Sequence, residues 1–430
     1  MDKFKSILLT LLVATSLLQS YFLAYGTPKF ESITQTDYLE TQLNGTQAEL
    51  SDLLYPDEIV LHFGKKSHTV LPFNHQFYER IYNDLLKRRT FDGLRKTNLI
   101  TAGINLDDIR NNQIGFEVRF KDAVPLNILQ TMLRINEDLP TDNDYITKIW
   151  IYIKDNKEDV KTYFFTETGT TVYEVVKADV LAKDVEKAVG FGEYLTKYHS
   201  DNGDYYLPDQ PVAMAKIRMP YTQFTADQLK RSLFVDPGLT RFLQERDGSQ
   251  IYTDSKKGLQ IRPDQRWFSY SDPIFTPAES RSDVKGNLLS GIQFVNQHGG
   301  WNSAYMLSKI TPKQSFGPQT FVFRQYVDNV PVINTKQDTF GYIKVVLQKG
   351  VLSGYERSTV IPDLKGATRK EASLPGGKEL DELVNAYPRR VMAVSIFPAY
   401  QAVVTDQFVD LIPRWAVELR DGTFEFLAER

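Results

Sequence analysis

The sequence predicts an α+β fold: a single N-terminal transmembrane helix, then a multi-domain extracytoplasmic region of mostly antiparallel sheets. Three observations carry this. Residues 7–25 (ILLTLLVATSLLQSYFLAY) contain no charge, and about 20 such residues at 1.5 Å rise span the roughly 30 Å hydrocarbon core of a bilayer. Beyond them, short alternating segments meet at Asp-Gly, Lys-Gly and Asp-Asn turns, which implies antiparallel hairpins. Between the hairpins lie segments with apolar residues at helical spacing.

Residues 1–6 form a tail whose Lys3 and Lys5 keep it in the cytoplasm by the positive-inside bias, so everything after residue 25 is exported. In lipid, a helix is the form that satisfies the backbone of such a run. A cleaved signal peptide competes with this reading, because Ala24-Tyr25-Gly26 has small residues at the spacing a signal peptidase prefers. The run is longer than the usual ~7–15-residue signal core, and Tyr21, Phe22 and Tyr25 resemble an interfacial aromatic belt. Ser16 and Ser20 form a small-xxx-small pair with Gln19 beside them, a pattern that favours contact with a partner helix. The serines can instead bond back to their own helix, and Gln19 can snorkel.

The exterior divides at its polar stretches. An N-terminal α+β domain (26–144) opens with an irregular lead-in over 27–55. It continues with a strand over 58–63, a helix capped by Asn74 with Phe77, Ile81 and Leu85 on one face, a strand over 115–121 and a short helix over 125–133. A middle domain (145–279) starts at a strand over 148–154, followed by a hairpin about Thr168-Gly169 and a helix over 178–189. Thr225 and Gln228 then fit a capping box, and two turns follow at Asp247-Gly248 and Lys257-Gly258. A C-terminal domain (280–430) has a helix over 283–296 with Leu288, Ile292 and Val295 on one face, stopped by Gly299-Gly300. Hairpins at Asp328-Asn329, Lys349-Gly350 and Asp421-Gly422 follow, with a helix over 378–387 before the last. In the last of these, Trp415, Val417, Leu419, Phe424 and Phe426 are expected on one side. The last two domains share a helix plus strand–turn–strand layout compatible with a duplicated fold, without a residue-level repeat.

The totals narrow the function classes. With 42% hydrophobic and 24% charged residues the chain is globular, and 430 residues exceed what one core holds. A net charge of −3 without a basic domain gives nucleic acid no footprint. No cysteine is present, which excludes disulfides and thiolate chemistry. The five histidines have no zinc-motif spacing, so no metal site and no cofactor are expected. No G-x-S-x-G elbow or P-loop occurs, and Gly190-Phe191-Gly192 follows a helix and lacks the third glycine. Ser282-Asp283-Val284-Lys285 matches S-x-x-K without a K-T-G, and Ser282 reads as a helix cap. The residues therefore name no catalytic site, and the only candidate contact is Ser16, Gln19 and Ser20. An anchored cell-wall enzyme and a secreted binding protein are the alternatives.

A short tail and one helix with an aromatic outer end leading to Pro28 and Phe30 precede a large cysteine-free α+β exterior that contains Tyr252-Thr253-Asp254 with Gly258-Leu259 and Ile412-Pro413-Arg414-Trp415. In this layout and these motifs the chain resembles the YycH (WalH) family. The chain departs from the pattern at the membrane exit, with Tyr21 and Tyr25 where Trp is expected. The resemblance implies a three-domain exterior whose last two domains are similar in fold to a companion protein, YycI. It also implies that the protein regulates an essential two-component system of low-GC Gram-positive bacteria, associating with YycI and the sensor histidine kinase WalK (YycG) through membrane helices.

Overall fold

The computed structural model describes residues 45–428 except 137–143, 157, 274–282, 312–316 and 335–339, together with residue 43 and nine positions between 5 and 19. The chain forms two compact units, 1–38 and 39–430. In the first, the described positions, Ser16 and Gln19 among them, are helical and exposed. The Thr15 hydroxyl donates to the Leu12 carbonyl at 3.0 Å, the self-bonding open to a polar residue in such a helix. Ser20 and much of 7–25 lie outside the described residues, among which no helix is long and apolar enough to cross a membrane.

The second unit is α+β with mostly antiparallel sheets. Its first sheet holds β1 (Glu58–Phe63), β2 (His68–Pro72), β3 (Phe91–Asn98), β4 (Ile114–Pro125), β5 (Tyr145–Ile153), β6 (Val160–Thr166), β7 (Thr171–Ala178), β8 (Tyr198–His199) and β9 (Leu207–Pro208). They run in the order β3-β7-β6-β5-β4-β1-β2-β8-β9. Strand β5 is apolar on both faces because both are covered. Ile149 and Ile151 join the main core with Tyr78, Tyr82 and the helix Ala182–Gly190, whereas Trp150 and Tyr152 pack with Tyr163, Phe165 and Ile109 on the other side.

The second sheet begins with β10 (Val212–Gln223), β11 (Arg241–Gln244), β12 (Gln250–Thr253), β13 (Gly258–Ile261), β14 (Trp267–Ser271), β15 (Ala304–Thr311), β16 (Gln319–Val327) and β17 (Val330–Ile333). It is completed by β18 (Tyr342–Gln348), β19 (Val351–Ser358), β20 (Val360–Pro362), β21 (Thr368–Leu374), β22 (Ala393–Val404), β23 (Phe408–Leu419) and β24 (Phe424–Phe426). The main path is β11-β12-β13-β14-β19-β18-β16-β17-β22-β23-β10-β20. Among the described residues of this sheet only the β17–β22 pairing is parallel, and it joins two antiparallel halves. Helix Val284–Gln297 buries Leu288, Ile292 and Val295, and helix Gly377–Ala386 buries Leu380 and Val384 against Trp415, Val417 and Leu419.

Local chemistry explains the turns and caps. Asp328 and Asn329 have φ of 48° and 65°, the double left-handed pair of a type I′ hairpin. Thr225 Oγ1 accepts from the Gln228 amide and the Gln228 side chain accepts from the Thr225 amide, a complete capping box. Two caps differ from expectation. His75, not Asn74, caps the helix at Gln76, its Nδ1 accepting from the Phe77 amide, while Asn74 sits one residue earlier at φ 63°. Ser282 lies outside the described residues, and Asp283 is the cap before Val284.

Strand pairing partitions the chain differently from its polar stretches. β4 and β5, on either side of 137–144, are neighbours in one sheet. The stretch 145–279 supplies β5–β9 to the first sheet and β10–β14 to the second. The lead-in is not free of the core either, since Leu43, Leu50, Leu53 and Leu54 are buried. In the last hairpin Ala416 faces Phe426 and Glu418 faces Phe424. Cross-strand partners share a face, so both phenylalanines lie on the side opposite Trp415 and Val417, where they join Phe397. The expected single apolar face is therefore two.

The helix face gives a direct test. Leu288→Ala, at a fully buried position, should lower unfolding free energy by about 2–5 kcal/mol. Leu289→Ala on the outer face, 44% exposed, should change it by less than about 0.5 kcal/mol. Denaturant titration of both variants checks the assignment, and equal losses would refute it.

Candidate functional site

Two features stand out: the docking of the lead-in and a charged seam with a cleft between the two sheets. Thr46 and Trp301 exchange both backbone hydrogen bonds at 2.9 Å. The Asn296 side chain accepts from the Ala48 amide (3.0 Å) and the Trp301 indole (2.7 Å), and donates to the Ala48 carbonyl (2.9 Å). A Cβ on Gly45 would lie 2.1 Å from the Gly299 carbonyl oxygen, so only glycine allows this approach. Beneath, buried Arg357 donates to the Gly300 carbonyl at 2.9 Å and to the Tyr355 hydroxyl at 3.1 Å. Helix Val284–Gln297 thus presents its C-terminal end as a socket for the segment entering the unit.

The seam is built on β4. Glu117 is fully buried, with Arg119 Nε and Lys148 Nζ each 3.1 Å from Oε1 and His62 Nε2 3.6 Å from Oε2. Burial pushes the carboxyl up, but Arg119, Lys148 and His62 hold it well below the usual range. His62 and His68 meet through their Nδ1 atoms at 3.0 Å. Burial lowers His62, while burial, His62 and Arg110 push His68 down to about 3, so both rings are neutral near pH 7. Arg119 Nη1 donates to the Asp204 carbonyl and Nη2 to the Gly203 carbonyl, at 2.8 and 2.6 Å. Glu58 is left with an ion-pair distance of 3.6 Å to Arg119. Burial first, opposed by Arg119 and aided by Asp57 and Glu117, raises its carboxyl to about 7.

Beside Glu58 opens a cleft of about 540 Å³ between β1, β2 and β8 on one side and β10, the β16–β17 hairpin and β22–β23 on the other. Phe73, Tyr198, Tyr206, Tyr326, Phe397 and Trp415 line it. Pro398, in mid-strand of β22, also reaches this wall, before the parallel neighbour β17 begins pairing at Tyr400. Across the seam Lys121 reaches Glu418 at 3.3 Å and lies 3.4 Å from the Phe397 ring centroid. Farther out, His199 bridges Asp209 (2.7 Å) and Asp381 (2.9 Å), tying β8 to helix Gly377–Ala386.

Sequence reasoning named none of these side chains as a site. Ser16 and Gln19, the candidates it did name, are placed on a helix, and Ser20 lies outside the described residues. His75 caps a helix, and His298 is buried against the Ser232 carbonyl. Among the described residues no group of three or more His, Cys, Asp or Glu is placed to hold a metal. The adjacent carboxylates Asp57-Glu58 at the start of a strand were the available signal for the cleft.

Asn296→Ala would strip partners from Ala48 and the Trp301 indole together. A loss of about 2–4 kcal/mol is expected, with new protease cleavage near residue 48; unchanged stability and protection would show the socket to be incidental. Glu58 supplies a pH test. Its folded pKa lies above the unfolded one, so the native state holds an extra proton between about 4.5 and 7 and stability falls as pH rises through that window. His62 and His68, depressed in the fold, act in the opposite direction, so the difference between wild type and Glu58→Gln isolates the term. The variant should gain about 1–3 kcal/mol relative to wild type between pH 4 and 8, read from urea midpoints; a pH-independent difference would refute it.

Comparison with known proteins covers both halves of the chain. Residues 2–190 match the YycH protein N-terminal domain and residues 202–428 the YycH protein C-terminal domain. The chain is 22% identical over 442 residues to the two-component system WalR/WalK regulatory protein YycH of Bacillus subtilis (strain 168), with 97% of this chain and 94% of that protein covered. The crystal structure of YycH from Bacillus subtilis shares the fold, with a TM-score of 0.68 at 20% identity over 90% of this chain and 98% of that one. The motifs Tyr252-Thr253-Asp254 and Gly258-Leu259 form the β12–β13 hairpin, and Trp415 of the Ile412–Trp415 motif anchors β23 through its indole on the Pro375 carbonyl. By the matches over both of its halves, the chain belongs to the YycH family.

Proposed function

We propose that the protein is a non-enzymatic, single-pass membrane regulator that modulates a sensor histidine kinase of the WalK (YycG) type, together with a YycI-like partner. The observation that carries this reading is the nearly end-to-end match to a relative named as a regulatory protein of the WalR/WalK system. A regulator without chemistry of its own alters a kinase by binding its active and inactive states with different free energy. The uncharged run 7–25 is the anchor, with the N-terminus cytoplasmic and residues 26–430 extracytoplasmic. It lies at the same depth as the kinase's own membrane helices, and Ser16, Gln19 and Ser20 are its residues with a physical reason to face another helix. Such polar contacts contribute about 0.6 kcal/mol on average and up to roughly 2. That shifts a poised equilibrium a few-fold without forming a permanent complex.

Gln19→Leu should weaken co-purification with the kinase and mute its regulation by about two- to tenfold, leaving export intact. The sharper comparison replaces 7–25 by an unrelated anchor of equal length in the full chain. Loss of kinase regulation with normal export supports the reading. A swapped protein that binds and regulates fully would place the signal in the exterior instead.

A further inference from the structure

The cleft between the two sheets carries more chemistry than a joint requires. Two consecutive carboxylates, Asp57 and Glu58, lie in its wall, and neither is closely neutralised. Lys121 Nζ is 3.8 Å from Asp57, and Arg119 Nη1 is 3.6 Å from Glu58. Arg119 cannot turn to serve Glu58, because both amino nitrogens already hold the Gly203 and Asp204 carbonyls. Asp57 accepts one hydrogen bond across the cleft, from the Tyr326 hydroxyl at 3.3 Å. Tyr206, 5% exposed and in the same wall, has a buried hydroxyl with no partner among the described residues. A half-buried carboxylate without a donor is costly unless a partner arrives.

Six aromatic rings and aliphatic side chains such as Val70, Val212 and Ile396 make up most of the remaining lining. The third carboxylate there, Asp328, is already paired with Arg369 at 3.1 Å. The volume of about 540 Å³ lies in the range of cavities that enclose small organic ligands. Aromatic faces beside carboxylates form the environment that selects an ammonium group, by ring quadrupole and by charge-assisted hydrogen bonds. His75, also in the lining, is neutral near pH 7, since burial lowers it, and so adds no opposing charge.

We propose that this cleft binds a small organic cation, a protonated primary amine on an apolar body. The ammonium sits at Asp57 and Glu58, and the body lies against Tyr198, Tyr326 and Trp415. An ammonium brings three donors to Glu58, which has only an ion-pair distance to Arg119, and to Asp57, which accepts only the long bond from Tyr326. Binding then expels the proton from Glu58, whose carboxyl is raised to about 7 by burial, against Arg119 and Lys121 and with Asp57 and Glu117. The site goes beyond the regulatory reading and does not rest on it, because capture is measured on the purified chain with no kinase present.

The test titrates 4-phenylbutylamine into the full chain in a neutral detergent at pH 8 by calorimetry, with 4-phenylbutanol as the uncharged isostere. The amine should bind saturably at one site, and the alcohol at least about tenfold more weakly, the scale of a partly desolvated cation–π and ionic contact. Glu58→Gln should weaken the amine about tenfold, and lowering the pH from 8 to 6 should do the same to wild type. Ala213→Trp fills the cleft from an exposed position on β10, and should abolish binding without moving the melting temperature. Equal affinity for amine and alcohol, full binding by the Ala213→Trp chain, or no saturable binding of the amine would each overturn the proposal.

Discussion

A carboxylate with no solvent exposure in the middle of a sheet must be matched, because breaking such a pair leaves a buried charge that costs about 3–5 kcal/mol. Glu117 sets that demand here, and the residues that meet it organise the molecule around them. Lys148 comes from β5, across the seam of the first sheet, and Arg119 from the next same-face position of β4. Once Arg119 is committed to Glu117, its amino nitrogens fix the carbonyls of Gly203 and Asp204 in the loop between β8 and β9. Through the two-residue β9 that loop leads on to β10, the first strand of the second sheet. One pairing therefore orders the first sheet, the crossing between sheets and the wall of the cleft.

The same commitment explains why Glu58 is the group left over. Its nearest cation is used twice by backbone carbonyls and by a deeper carboxylate, so Glu58 gains attraction at a distance and no hydrogen bond. His62 and His68 cannot supply charge either, since burial keeps both neutral. The charges are matched at the centre of the network, where Arg119 and Lys148 flank Glu117, and less closely at its rim, where the cleft begins.

Much of the local structure was legible in the residues, and little of the site was. Asp328-Asn329, Thr225 with Gln228, and the Leu288–Ile292–Val295 stripe each depend on neighbours within a few positions, so sequence spacing suffices. Pairings over long separations leave no such trace. Strand β10 bonds to β21 and β23, some 150 to 200 residues away, and β22 carries Pro398 in mid-strand, a residue that argues against a central strand. Polar stretches look like domain boundaries even where, as between β4 and β5, they join two paired strands. The cleft is assembled from strands at both ends of the chain, so its aromatic residues read singly as core. The side of Phe424 and Phe426 was set by hairpin register, which alternation within one strand does not determine.

The lead-in socket and the cleft share one element. Trp301, which pairs with Thr46, packs on Phe323 of β16 with ring centroids 5.0 Å apart. Three residues along the same strand, Tyr326 reaches the cleft and donates to Asp57. Spatial continuity of this kind is not coupling; coupling requires an element with two arrangements that both sites bias. The Tyr326–Asp57 bond is the place to look for one, because it is a single long hydrogen bond closing the cleft and Asp57 also belongs to the carboxylate pair. A cation on that pair competes with the Tyr326 hydroxyl for Asp57. The ligand's effect on the strand cannot exceed its difference in affinity for the bonded and unbonded forms. At about 1.5–3 kcal/mol for one hydrogen bond to a charged group, that difference is comparable with the upper end of the helix contacts proposed for kinase association, so neither site would override the other.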